Sequence, residues 1–264
     1  MMNLFKMGGE ITSRKLTTII GIFGAGFILL TWYFITDGTN WVKPQTIPSP
    51  ISVLLSFKEL VFKNGLLPNT IYSIKLNVWG YVEAIAISLP IGFIVALFPI
   101  CRSMLSKYID AMRYIPITGL TGIFIAWFGI GMGMKAHFLA FGVMVYLLPV
   151  VIQRVYETEK VHIDTVWTLG ANNWQLFTKV YLPSVLSKVF VDIRVITAIS
   201  WTYIIVAEMV NNEGGVGAMI YSAAKQSRID KIFAIIAFIV LIGFIQDKLF
   251  QMLEKWFFKF KFLK

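Results

Sequence analysis

Residues 84–101 read AIAISLPIGFIVALFPIC, eighteen positions without one formal charge. A helix rises about 1.5 Å per residue, so a run of this length nearly crosses a hydrocarbon core about 30 Å thick. The pattern recurs on both sides of it. Leu16–Ile35 is also uncharged and closes on the turn-forming Thr36-Asp37-Gly38. Taken together, the apolar stretches at 16–35, 78–100, 114–130, 136–153, 189–210 and 232–250 predict about six transmembrane helices. One such run would read as an anchor, whereas a series reads as an all-α, polytopic membrane helix bundle.

Composition agrees. Of 264 residues 57% are hydrophobic and only 14% charged, and mean hydropathy is +0.73, whereas soluble domains carry about 25% charged residues. Membrane lipid is therefore the expected solvent. The 24 Lys and Arg against 14 Asp and Glu would suggest a polyanion in a soluble protein, but basic loops are what membrane topology asks for, and no nucleic acid is expected as a partner. Cys101 is the single cysteine, and no Cys/His cluster offers a metal site. The polar N-terminus, residues 1–15, precedes an apolar run too long for a cleaved signal, so that run is expected as a retained first helix.

Six spans put both termini on one side. With the termini inside, inner segments hold 15 Lys and Arg and outer segments 8, which places residues 1–15 and the basic tail 251–264 in the cytoplasm. Two segments are amphipathic but too short to span. After Pro48-Ser49-Pro50, where Ser49 suits a cap and Pro50 a first helical position, Val53–Lys63 sets Leu54, Phe57 and Val61 opposite Lys58 and Glu59. Val216–Arg228 is the second, and each reads as an interfacial helix or as a helix packed under a loop.

The longest inner segment is the loop 154–188, which divides the fourth span from the fifth. Asp164 to Leu169 (DTVWTL) predicts a short helix, Gly170 permits the left-handed turn that ends it, and Asn172 or Asn173 can cap a second helix from Trp174 to Val180. Leu182-Pro183 is expected to break the chain before the fifth span. The product is a helix-turn-helix knob with exposed apolar Val166, Trp167 and Leu169, and exposed apolar side chains imply a partner.

Asp164 to Ala171 followed by Leu182-Pro183 resembles the cytoplasmic EAA loop of ABC importer permeases (binding-protein-dependent transport inner-membrane components), with Asp164-Thr165-Val166 where the family usually has Glu-Ala-Ala. Ile47-Pro48-Ser49-Pro50, Arg113-Tyr114-Ile115-Pro116, Trp127-Phe128-Gly129-Ile130-Gly131, Thr168-Leu169-Gly170-Ala171, Val206-Ala207-Glu208-Met209 and Gly214-Gly215-Val216-Gly217 are similar to the nitrate/taurine/aliphatic-sulfonate branch. The resemblance implies a MetI-like type I importer permease fold in a bacterial inner membrane. It also implies a small anion such as nitrate, taurine or a sulfonate as cargo. By the same resemblance Asp164, Thr165, Val166, Leu169, Gly170, Ala171, Leu182 and Pro183 dock on a separate P-loop ATPase. A second, identical permease chain and a solute-binding protein complete the assembly. This chain has no GxxxxGK[ST] phosphate loop, so ATP and Mg belong to the ATPase and no cofactor is expected here.

Single residues add less. Glu208 follows thirteen uncharged positions from Val195 to Ala207, and reads equally as a gate or path residue and as a side chain snorkelling to the interface. Trp201 and Tyr203 fit a substrate path and fit helix packing nearly as well. Asp192 and Arg194 read as an interfacial pair, Glu83 as interfacial, and His137 and His162 as isolated. The competing reading is a membrane-embedded enzyme or an ATP-independent channel or transporter. The sequence shows neither clustered acid, base or metal residues nor inverted repeats in its favour.

Overall fold

The computed structural model describes residues 13–39, 41–210 and 213–262, and these form helices joined by turns and irregular segments, with no strand among them. Residues 1–12 and Lys264, counted above as cytoplasmic, lie outside the described residues, as does the side chain of Arg14. Five helical stretches are long and apolar enough to cross a membrane: Lys15–Gly38, Leu66–Leu97, Met132–Tyr156, Asn173–Val210 and Ile229–Phe257. The count reaches six if Pro99–Tyr114 and Ile117–Phe128, which meet at a bend of 92°, are taken together as one broken span. The straight span expected at 114–130 is corrected accordingly. Pro116 lacks an N–H and pushes Ile115 out of the helical region, to φ −71 and ψ 124.

Two other boundaries moved. The span expected to begin at Val78 starts at Leu66, because Thr70, Ser73 and Asn77 are buried and satisfied rather than looped out. Thr70 Oγ1 donates to the Leu66 carbonyl at 2.7 Å and Asn77 Nδ2 to that of Ser73 at 3.0 Å, the back-bonding that lets polar residues continue a helix. The break expected at Leu182-Pro183 is absent. Phe177–Tyr181 forms a π-turn in which the Leu182 N–H bonds to the Phe177 carbonyl, five residues back. This widening makes room for the Pro183 ring, which would otherwise strike the carbonyl four residues before it.

The chain divides into two compact units. The first takes the described residues up to Asn64 together with Ala223–Ile236. It contains α1 (Arg14–Tyr33) and α2 (Pro50–Phe62). The sequence-predicted cap is present: the Ser52 N–H donates to Ser49 Oγ at 3.2 Å with Pro50 at the first helical position. Helix α2 buries Val53, Ser56 and Leu60 and leaves Leu54 exposed, so it is packed on one side only. Glu59 accepts from Lys231 Nζ at 2.8 Å and from Arg228 Nη2 at 3.1 Å. The bond from Lys231, then Arg228, holds the Glu59 carboxyl below its ordinary range.

The second unit, Gly65–Ser222 with Ala237 onward, holds α3 (Leu66–Leu97), α4 (Pro99–Ala111), α5 (Thr121–Phe128), α6 (Met132–Tyr156), α7 (Lys160–Thr168), α8 (Asn173–Leu176) and α9 (Leu182–Val210). Two further helices, α10 (Val216–Lys225) and α11 (Ile229–Phe257), follow. Helix α6 is central and packs on both α3 and α9. Small residues make the approach close: a Cβ on Gly92 would stand 2.5 Å from Val151 Cγ1, and one on Gly142 2.9 Å from Tyr203 Cδ2. Lipid supplies little hydrophobic drive between helices, so such close packing takes over that part.

Candidate functional site

Two regions at opposite ends of α9 carry the sequence-predicted site residues. The first is the knob. Helix α7 buries none of its residues, and Asp164, Thr165, Trp167 and Leu169 are all exposed, the last by 81%. Val166, Ala171, Leu182 and Pro183 are half-buried. The turn follows local chemistry. Gly170 sits at φ +79, its N–H donates to the Trp167 carbonyl at 2.9 Å, and the Ala171 N–H reaches the Val166 carbonyl at 3.2 Å. This double bond pattern closes a helix around a left-handed glycine. Of the two candidate caps Asn172 is the one used: its Oδ1 accepts the Gln175 N–H and Gln175 Oε1 accepts the Asn172 N–H, both at 2.9 Å. Trp174 then stands 70% exposed.

The root of the knob is tied down. Arg154 donates from Nε and Nη2 to both Asp192 oxygens at 2.7 Å, and Lys188 Nζ donates to the Glu157 carbonyl at 2.9 Å. The Arg154 guanidinium also bonds the Glu157 carboxyl and holds it below its ordinary range. Arg194 pairs instead with Asp247. The expected Asp192–Arg194 pair is thereby corrected: residues two apart on a helix point to different sides. Beside the knob an apolar groove of about 910 Å³ is lined by Phe93, Leu97, Trp174, Phe177 and Leu186 among others.

The second region is a buried polar clasp. Glu208 has no exposed surface; it accepts from Ser73 Oγ at 2.6 Å and from the Gly217 N–H at 2.8 Å. Ser73 Oγ in turn accepts the Val216 N–H at 3.0 Å, and Asn69 Oδ1 accepts the Gly215 N–H at 2.8 Å. Glu208 therefore staples the glycine turn 214–217 to α3, a role that sequence reasoning missed. Nothing local in the sequence ties residue 208 to residue 73; only the run of glycines hinted at a backbone held close. Trp201 is buried and its indole donates to Gln246 Oε1 at 3.0 Å, while the half-buried Tyr203 donates to the Tyr146 hydroxyl at 3.1 Å.

His137 is not isolated. Its Nδ1 lies 2.8 and 2.9 Å from the two oxygens of Glu83, so Glu83 on α3 is paired with α6. The sequence separation of 54 residues hid the pair. His162 is exposed, with Nδ1 3.6 Å from Glu159. Among the described residues no group of three or more His, Cys, Asp or Glu could hold a metal ion.

Fold and site together define a polytopic helical membrane protein with a stiff, exposed apolar knob interrupting its spans. Residues 88–259 match the family described as binding-protein-dependent transport system inner membrane component, and the chain belongs to that family. It is thus a multi-pass inner-membrane permease component of an ABC importer, a transport component rather than an enzyme, and the family works with an ATPase and a substrate-binding protein. A Bacillus subtilis (strain 168) permease named for aliphatic sulfonates, SsuC, is 27% identical over 89% of this chain and 85% of its own length. The taurine transport system permease TauC of Escherichia coli (strain K12) is 25% identical over 89% and 86%. The fold is shared with the permease in an inward-facing structure of the MetNI methionine ABC transporter, at TM-score 0.61 and 17% identity over 70% of this chain and 92% of that one.

Proposed function

We propose that this chain forms, with a second identical copy, the path by which a small sulfonate or related oxyanion enters the cell, driven by an ATPase that docks on the knob between Asp164 and Pro183. The observation that carries the reading is the contrast within the knob: its turn is closed at Gly170 and capped at Asn172, yet Trp167, Leu169 and Trp174 stay exposed. Order without burial is what a docking surface needs, because little entropy is left to lose on binding. Asp164, Thr165, Val166, Leu169, Gly170 and Ala171 present the surface, and Leu182-Pro183 passes the push into α9. Closure of the ATP-bound motor moves two such knobs together and re-orients the bundles, with ATP and Mg held on the motor. The excess of basic residues in the inner segments supports termini in the cytoplasm.

The relatives named for sulfonates and taurine support the cargo class. Along the path we place Tyr203 beside Tyr146, with Trp201 and Glu208 holding α9 in register. The test is co-purification with the partner ATPase. Gly170→Arg and Leu169→Glu each abolish the association while the chain is still extracted in folded form. Uptake by the purified chain without any ATPase would overturn the reading in favour of a channel or secondary transporter.

A further inference from the structure

Helix α6 is the most enclosed of the crossing helices. Toward its start it opens along one stripe only: Gly133, His137, Phe141 and Met144 are half-buried while the positions between are mostly buried. These recur every three or four residues and so share one face. Glu83, the partner of His137, lies near the middle of the 32-residue helix α3. The two side chains remain 32% and 27% exposed. Phe128 covers one face of the imidazole with ring centroids 4.6 Å apart, and Trp79 meets it edge-on at 6.4 Å.

An ionisable pair held between two crossing helices with about a third of its surface open is costly against hydrocarbon; such groups face a water-filled cavity or the bundle interior. Glu83 engages Nδ1 with both oxygens. Among the described residues Nε2 has no hydrogen-bond partner, and the carboxylate fixes the ring so that this second nitrogen points away from it. A ring held in this way turns Nε2 away from Glu83, beside the rings of Phe128 and Trp79, and can donate there to an oxygen acceptor when it carries a proton on both nitrogens.

We propose that His137 is a solute-contact residue on the transport path, donating from Nε2 to an oxyanion oxygen of the cargo, with Glu83 as its positioning residue. The inference deepens the importer reading and rests on it. The face bearing Gly133, His137 and Phe141 borders the water-filled path, and Trp79 and Phe128 shape the apolar side of the cargo.

The experiment uses the whole transporter, reconstituted with its ATPase and binding protein in vesicles, with taurine and a short alkylsulfonate as probes. His137→Leu raises the solute concentration for half-maximal uptake at least tenfold, and His137→Gln, which keeps an N–H, recovers part of it. Glu83→Gln gives a smaller rise and makes the uptake of His137→Gln no worse, as expected of a residue acting through the ring. A second measurement does not depend on uptake. In a Cys101→Ser background, which removes the single cysteine, His137→Cys reacts with a charged, membrane-impermeant methanethiosulfonate and is protected by solute-loaded binding protein. If that cysteine reacts only with lipid-soluble reagents, or cross-links between two copies without protection by solute, the face belongs to lipid or to the partner copy and the proposal is overturned. If the cysteine is water-accessible but no ATPase associates with the chain, the importer reading has failed and the aqueous placement of His137 stands.

Discussion

Gly170 and Gly217 stand at opposite ends of the longest membrane-crossing stretch, and they are glycines for opposite reasons. At Gly170 a Cβ would meet nothing within 4 Å, and the residue is needed because its φ is +79. At Gly217 no φ in the left-handed region is involved, but a Cβ would stand 2.5 Å from the Ile205 carbonyl oxygen. The first is dictated by its own backbone, the second by its neighbours. Around Gly217 the buried donors and acceptors are met inside the chain, by Glu208, Ser73 and Asn69. Around Gly170 the backbone is satisfied but the apolar side chains are left in the open. The clasp is thus finished within one chain, whereas the knob leaves its apolar side chains uncovered.

That contrast can be broken most sharply at the clasp. Gly217→Ala forces a methyl group against backbone that cannot swing aside, and it is expected to cost about 3 kcal/mol, read as a fall in the thermal midpoint in detergent. Glu208→Ala comes next. It leaves the Gly217 N–H and the Ser73 hydroxyl buried without their acceptor, a loss of about 2 kcal/mol. Gly170→Ala follows at about 1 kcal/mol, the cost of a Cβ in the left-handed region with no clash to add. An equal or larger loss at Gly170 than at Gly217 would show that the knob is packed against something within its own chain.

The smallest effect concerns the root of the knob. Arg154 lowers the Glu157 carboxyl below its ordinary range, so the native state binds that proton less readily than the unfolded chain does. The sign follows from linkage: the contribution is complete above the ordinary carboxylate range, about pH 4.3, and is lost as pH falls through the lowered native value. Glu157 is partly exposed, so solvent screens the pair and the effect is slight. Amide exchange at Gly170 and Ala171 should quicken in acid in the natural chain, and in Glu157→Gln should be independent of pH over that range once intrinsic exchange is corrected. A Glu157→Gln protein that keeps the acid sensitivity would move its origin elsewhere.

Much of the knob was legible in advance because its determinants are local. Gly170 ends α7 and Asn172 caps α8 through bonds that span at most five residues, and the sequence order alone brings those groups together. Ser49 and Pro50 opened α2 for the same reason. The proline readings were less secure. Pro116 bent the third crossing, whereas Pro183 sits in a continuous helix, because only the latter follows a π-turn that makes space for its ring.

By itself the sequence determined that this chain is a membrane helix bundle and where the knob turns, since hydropathy and capping act over one or two helical turns. Tertiary structure alone decided which polar side chains meet. Glu208 finds Ser73 across 135 residues, His137 finds Glu83 across 54 and Arg154 finds Asp192 across 38. Those meetings depend on the rotation and register of one packed helix against another, which close contacts such as Gly80 on Leu139 and Gly92 on Val151 set, and which no periodicity along the chain encodes.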